Sequence, residues 1–131
     1  KKKGPYSHIR RGKREVGGRT IFFKSKAEAN WARYLQFLKD QKLIREWKYE
    51  PQKLFFKERT GNNHITLDFM IIQRDGKETW DEVKGWMNAA SRAKLNRLYK
   101  QYPEKNARVV WDKDVRKVGK QVGGMIEGWE F

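Results

Sequence analysis

Cysteine is absent from the 131 residues, and histidine occurs only twice, as His8 and His64. The lack of cysteine excludes disulfides and thiolate zinc sites. Two histidines far apart in the sequence also offer little for a histidine metal site or a Ser-His-Asp triad. No apolar run is long enough to span a bilayer, and no stretch has the core of a signal peptide. These absences agree with a cytoplasmic location.

Acidic residues are few compared with basic ones, 16 against 31, which gives a net charge of +15 at pH 7. So large a positive charge indicates a polyanionic partner, with nucleic acid as the first candidate and an anionic membrane surface as the second. The length predicts one domain with a modest core. Because the chain begins at Lys1 rather than Met, the sequence leaves open whether the natural N-terminus is included.

The segment 79–84 (TWDEVK) is typical of a β-strand, and Gly85 ends it. Because side chains alternate between the two faces of a strand, Glu82 and Lys84 lie on one face and Val83 on the other. A carboxylate and an ammonium group are therefore predicted to lie together at the end of this strand.

Asp68 lies in the segment 65–72 (ITLDFMII), whose two alternating faces are both largely apolar. This pattern predicts a central strand covered on both sides, and a carboxylate buried there needs a partner. The segment 74–77 (RDGK) predicts a tight turn that brings the Glu82 strand back beside it. Asp68 and Glu82 are then neighbours that can share a divalent cation, and two carboxylates with water suit Mg²⁺.

The first predicted helix opens with the segment 25–28 (SKAE), which has the form of a capping box, and continues to about Lys39. Its buried stripe is predicted to contain Trp31, Tyr34, Leu35 and Leu38. Two roles stay open for Glu28. Spacing alone slightly favours a carboxylate that only caps the helix. In the alternative, the same carboxylate also reaches the metal site from the first helical turn.

The rest of the chain is predicted to complete one domain. Residues 1–14 form a predicted flexible basic arm, either a solvated tail or a segment that contacts phosphates, and residues 15–131 form the domain. The further predictions are a weak hairpin around Gly17-Gly18, strands at 43–50, 53–57 and 107–111, a turn at 60–63, a helix at about 88–102 with a stripe of Leu95, Leu98, Tyr99 and Tyr102, and a basic helix at 113–122. The segment 126–129 has no predicted place. A helix on each face of a short mixed sheet would cover the central strand.

Four segments, in this order along the chain, are similar to the motifs of the PD-(D/E)XK nuclease superfamily. More narrowly, they resemble small phage-encoded endonucleases related to Holliday junction resolvases. The segments are 23–30 (FKSKAEAN), 47–51 (WKYEP), 67–69 (LDF) and 82–86 (EVKGW). The resemblance spans roughly residues 18–111. It departs from the family at Leu67, where a proline is usual; that proline ligates nothing, so the departure concerns only the local bend.

The resemblance implies a single restriction-endonuclease-like α/β domain with an α-β-β-β-α-β core and a short mixed sheet flanked by helices. It also implies a Mg²⁺-dependent endodeoxyribonuclease, with Mn²⁺ as a substitute, that hydrolyses phosphodiester bonds in branched DNA or Holliday junctions. Asp68, Glu82 and Glu28 would hold the metal, and Lys84 would orient the attacking water and offset phosphate charge. By analogy with junction resolvases, a homodimer in the host cytoplasm is expected.

Three residues beside these motifs have less certain roles. Glu50 is either a further ligand or, as we favour, holds the bend around Pro51. Asp81 points away from Glu82 and is not a predicted ligand. Trp86 follows the end of the strand, where it either packs against the site or stacks on a nucleic-acid base.

Two functions from different classes are compatible with the charge. One is the nuclease, and the other is a basic nucleic-acid-binding module without catalysis, for example a nuclease fold with a silent site. The set of Glu28, Asp68, Glu82 and Lys84 favours catalysis, because a pure binder has no need of acids among so many bases. A membrane-surface protein is a weaker third interpretation, since the basic residues are spread along the whole chain.

Overall fold

Eight strands and three helices make up the part of the chain that the computed structural model describes, residues 10–57 and 63–131. The strands are β1 (Gly12–Val16), β2 (Arg19–Phe23), β3 (Ile44–Tyr49), β4 (Leu54–Phe55), β5 (His64–Ile65), β6 (Phe69–Gln73), β7 (Glu78–Lys84) and β8 (Ala107–Trp111). The helices are α1 (Lys26–Asp40), α2 (Ala89–Gln101) and α3 (Asp112–Val122).

A mixed sheet with the spatial order β3-β6-β7-β8 forms the centre of the fold. The first three strands pair antiparallel, whereas β8 lies parallel to β7. A parallel pair needs a long crossover connection, and α2 provides it. The predictions of an α/β fold and of a short mixed sheet with flanking helices are confirmed. Two further pairs, β1-β2 and β4-β5, form small separate sheets.

Apolar side chains cover both faces of the central sheet. On one face, α1 and α3 pack with the β1-β2 hairpin around Trp47, Phe69 and other buried side chains. On the opposite face, Leu95 and Leu98 of α2 pack around Trp80 together with the β4-β5 pair. The strict alternation along β6 and β7 makes this possible, because each strand supplies apolar side chains to both faces.

Glycine residues form two turns where the sequence predicts them. Gly17 and Gly18 both have positive φ, +61° and +76°, which is the conformation that a two-residue hairpin turn between β1 and β2 requires. Gly76, with φ of +88°, closes the turn between β6 and β7. The second turn sets the register that brings the two strands of the candidate site together.

Three local predictions are wrong. Asp68 does not lie inside a strand but at a bend just before β6, because the apolar run 65–72 is divided between β5 and β6. Tyr99 is 38% exposed, since α2 is an otherwise polar helix that buries only two leucines. The strand β1 already begins at Gly12, so the last residues of the predicted arm 1–14 are paired with β2.

Some predictions lie partly or wholly outside the described residues. These are the remainder of the basic arm and most of the turn at 60–63. The strand predicted at 53–57 is reduced to the two residues of β4. No helix within the described ranges is both long and apolar enough to cross a membrane.

Candidate active site

The register of the central sheet places three carboxylates in one row. Tyr49 of β3 pairs with Phe69 of β6, which in turn pairs with Asp81 of β7. Because β6 runs antiparallel to both neighbours, the next position across the sheet holds Glu50 after Tyr49, Asp68 before Phe69 and Glu82 after Asp81. These three residues therefore lie across from one another. The backbone confirms the first step, since the Glu50 N–H donates to the Asp68 carbonyl at 2.8 Å.

Asp68 is hydrogen-bonded to Glu82 and to the next residue of β7, Val83. The backbone N–H of Asp68 donates to Glu82 Oε1 at 3.0 Å, and the backbone N–H of Val83 donates to Asp68 Oδ2 at 2.8 Å. Here side chains replace the backbone ladder, which ends at Phe69 and Asp81. The two predicted ligands are thus brought together by adjacent strands, as the turn between β6 and β7 predicts.

Burial changes the acidity of this pair. Asp68 is only 3% exposed, and burial together with the charge of Glu82 raises its pKa well above the usual range. Burial also raises the pKa of Glu82, although hydrogen bonding with Asp68 and the charge of Lys84 act in the opposite direction. Two carboxylates that ionise with difficulty side by side favour any cation that neutralises them.

Glu28 comes to the same place from the first turn of α1. Ser25 caps the helix by accepting from the Glu28 N–H at 3.0 Å, as predicted, but the Glu28 carboxylate accepts a hydrogen bond from the Tyr49 hydroxyl. The interpretation of Glu28 as a helix cap alone is therefore wrong. Burial, with a further contribution from the charge of Asp68, raises the pKa of Glu28 to about 7.

Lys24 is a site residue that sequence reasoning missed. Its Nζ lies 2.8 Å from Glu50 Oε2 and 3.8 Å from Asp68 Oδ1. Burial lowers the pKa of Lys24, but the hydrogen bond with Glu50 and the charges of Asp68 and Glu28 outweigh it and raise the pKa overall. One local signal was available, because Lys24 directly precedes the Ser25 cap and is four residues from Glu28.

Lys84 lies beside Glu82, with Nζ 3.8 Å from Glu82 Oε2. A cleft of about 460 Å³ opens next to this pair and is lined by Glu28, Lys84 and Trp86 among others. Of this pair, Lys84 lines a space that a substrate can enter. Trp86 is 70% exposed at the edge of this cleft and does not pack against the site.

The two other acids near the motifs have definite partners. Asp81 accepts from Trp31 Nε1 and Arg108 Nε, each at 2.8 Å, so it belongs to the core and not to this cluster. Glu50 has a positive φ of +44°, which ends the regular alternation of β3 and turns its carboxylate towards Lys24. The positive φ agrees with a role for Glu50 in the bend at Pro51. Its carboxylate also forms the ion pair with Lys24.

The chemistry of the cluster suits a hard divalent cation. Its donors are carboxylate oxygens, which Mg²⁺ prefers, and the four acids Glu28, Glu50, Asp68 and Glu82 outnumber the ammonium groups of Lys24 and Lys84. Across residues 10–57 and 63–131, no three His, Cys, Asp or Glu side chains form a preformed metal-binding group. The carboxylates of this cluster that could hold an ion together are thus those of Asp68 and Glu82.

No protein-family model and no curated protein matches the chain. Among solved structures, the chain is similar to one described as the crystal structure of a repair endonuclease from Pyrococcus abyssi. The two are 17% identical, the match covers 73% of this chain and 43% of that chain, and the TM-score is 0.27. So distant a likeness carries no argument about activity.

Proposed function

We propose that this protein is a metal-dependent DNA endonuclease that hydrolyses phosphodiester bonds. The observation that carries the proposal is the junction of Asp68 and Glu82, hydrogen-bonded across adjacent strands, with Lys84 beside them at an open cleft. The net charge of +15 supplies the attraction for a polyanionic substrate. Folding alone gives no reason for so many carboxylates to lie together in one largely buried cluster.

Each residue has a chemical role in this proposal. Asp68 and Glu82 would hold Mg²⁺ or Mn²⁺, with Glu28 as the third predicted ligand, and the ion when bound would supply an acidic water and a counter-charge. Lys84 offsets the charge of the phosphate and stabilises the negative charge that develops on it. Lys24 holds Glu50 and offsets part of the repulsion among the acids when their charges are not otherwise neutralised.

The proposal includes selectivity for branched DNA, such as a flap or a four-way junction, and a twofold dimer that cuts two symmetric strands. Cleavage of a panel of single-stranded, duplex, flap and junction substrates tests the first part. Sedimentation of the protein with and without a junction tests the second.

The decisive experiment incubates supercoiled plasmid with the protein in Mg²⁺, in Mn²⁺ or in EDTA. We expect nicking with either metal and none in EDTA. Glu82→Ala should abolish nicking while most DNA binding remains, because the phosphate contacts come from other residues. Glu15→Ala, which removes an exposed carboxylate of β1, is the matched control and should cleave like the parent.

A non-catalytic DNA-binding module is the second candidate. It is favoured by the absence of a preformed three-ligand group among the described residues and by the ammonium of Lys24 within the cluster. If a folded parent protein binds DNA but never nicks it with either metal, this candidate replaces the nuclease. Equal loss of binding and cleavage in Glu82→Ala, with a lowered melting temperature, would instead make Glu82 a structural residue.

A further inference from the structure

Trp86 is exposed although it is among the largest apolar side chains. It is 70% exposed, whereas the other five tryptophans of the chain are buried or half-buried. Trp86 follows β7 by two residues, and its neighbour Gly85 lies in open space, since a Cβ added there would meet no atom within 4 Å. The indole thus lies in solvent, in the loop that follows β7.

The cleft beside Trp86 contains two residues of the candidate active site, Glu28 and Lys84. The same space of about 460 Å³ is lined by Glu28 and Lys84 at one part and by Trp86, Asn88 and Ser91 at another. A ligand that places a phosphate at Lys84 would therefore place its next chemical group near the indole. In a nucleic acid, that next group is the sugar with its base.

Three basic side chains, those of Lys84, Lys113 and Arg116, lie around the cleft. A second, smaller cleft shares Gly85 and Asp112 with the first and is also lined by Lys113 and Arg116, and Arg116 pairs with Asp112 at 3.2 Å. Basic side chains thus lie on both sides of Gly85, which suits an anionic strand that follows the surface and does not suit an apolar peptide. Single-strand-binding proteins combine a positive groove with an aromatic side chain on which bases stack.

We infer that Trp86 stacks on an unpaired base of the DNA nucleotide next to the cleaved phosphate. The faces of a base inside an intact duplex are covered by its neighbours, so the indole can reach only an unstacked base. Trp86 then makes the cleft selective for DNA with unpaired nucleotides, as at a gap, a flap or a junction. This inference rests on the proposed function and specifies its substrate class.

The test measures binding without cleavage, in EDTA. One duplex carries a single unpaired 2-aminopurine, and a second duplex is fully paired. For the parent we expect quenching of the 2-aminopurine fluorescence and tighter binding of the first duplex. Trp86→Ala should remove the quenching and weaken binding of the first duplex about tenfold, as expected for the loss of one base–aromatic stack, with little effect on the second. Trp86→Phe should retain most of both signals.

Phe22→Ala is the matched control, because Phe22 is another exposed aromatic that does not line the cleft. It should behave like the parent. Equal weakening on both duplexes, or no weakening on either, would overturn the inference. A parent that quenches and discriminates in EDTA but never cleaves with Mg²⁺ would support stacking by Trp86 while the proposed nuclease activity fails.

Discussion

Two buried aspartates, Asp81 in β7 and Asp68 at the bend before β6, have very different surroundings. Asp81 is 1% exposed and is bonded to a tryptophan N–H and an arginine, so its charge is balanced within the core. Asp68 is 3% exposed, but its neighbours include the carboxylate of Glu82, and Lys24 approaches only to 3.8 Å. Because an incompletely neutralised buried acid costs stability, Asp68 contributes less favourably to folding than Asp81 does.

At the same scale, Lys84 distinguishes a nuclease from a site that only chelates metal. An ammonium beside a Mg²⁺ site repels the ion, whereas it stabilises the negative charge added in phosphodiester cleavage. We therefore expect Lys84→Ala to keep or slightly increase Mg²⁺ affinity in a calorimetric titration. The single-turnover cleavage rate should fall by orders of magnitude, since one such contact contributes about 2.7–4 kcal/mol to transition-state stabilisation.

Lys48→Ala is the matched control for Lys84→Ala, because it removes one exposed positive charge from β3. It should reduce DNA affinity slightly and leave the single-turnover rate unchanged. A Lys84→Ala protein that cleaves at the parent rate would remove Lys84 from the mechanism.

At the scale of elements, the C-terminal segment connects parts of the fold that are distant in sequence. The Glu130 carboxylate accepts from Arg14 Nε of β1 at 2.8 Å and from Arg33 Nη1 of α1 at 2.6 Å. Its backbone pairs with the Asn30 side chain in both directions. Gly119 of α3 is required nearby, because an added Cβ would lie 2.6 Å from the Trp129 ring. The segment thereby fixes the hairpin and α3 to α1.

Replacing Glu130 should destabilise the fold in a pH-dependent way. Burial alone would raise the pKa of Glu130, but its bonds to Arg14 and Arg33 outweigh this and lower the pKa below its ordinary value of 4.5. A carboxyl group whose pKa is lower in the folded than in the unfolded protein stabilises the fold at any pH above the unfolded pKa. This stabilisation is lost as the pH falls through the folded pKa. We expect Glu130→Gln to lower the free energy of unfolding by about 1–2 kcal/mol at neutral pH.

Urea denaturation of the parent and of Glu130→Gln from pH 7 down to acid measures this effect. The difference between the two proteins should shrink as the pH falls below the ordinary glutamate pKa. Glu127→Gln, an exposed change in the same segment, should show almost no difference at any pH. A Glu130 difference that is independent of pH would mean that its charge contributes nothing.

At the scale of the whole molecule, the excess of 15 positive charges affects how the protein associates with a polyanion. Many of these charges do not line the cleft, for example Lys94 and Lys100 of α2 and Lys117 and Lys120 of α3. Such a distribution increases association rates with a polyanion and makes affinity strongly dependent on salt. Sequence discrimination, by contrast, requires contacts to bases or to DNA shape.

Removing residues 1–9 should weaken DNA binding and flatten its salt dependence. This boundary keeps all of β1, which a truncation at residue 14 would destroy. The segment contains Lys1, Lys2 and Lys3, so the slope of log affinity against log salt should fall by up to about three if each contacts one phosphate. Replacing the three lysines by glutamine in the full chain should reproduce the effect. An unchanged slope would reduce the segment to a passive tail.

The sequence by itself determined the features that depend on near neighbours. Alternation placed Glu82 and Lys84 on one face of β7, the Ser25 cap defined the start of α1, and the turn at Gly76 made Asp68 a neighbour of Glu82. These features depend on backbone geometry over a few residues, so local patterns are sufficient to predict them. The apolar periods also predicted the helices and the mixed sheet.

The tertiary structure alone decided which distant residues meet. Lys24 and Glu50 join the site because the register between β3 and β6 and the positive φ of Glu50 bring them there, and register is fixed by the packing of the whole sheet. Trp86 is exposed because no element within residues 10–57 and 63–131 covers the loop after β7, although a tryptophan side chain suits a core. Glu130 reaches Arg14 across 116 positions of sequence, a contact that exists only once α1 and the hairpin have packed. Such contacts depend on long-range packing, which no local pattern in the sequence encodes.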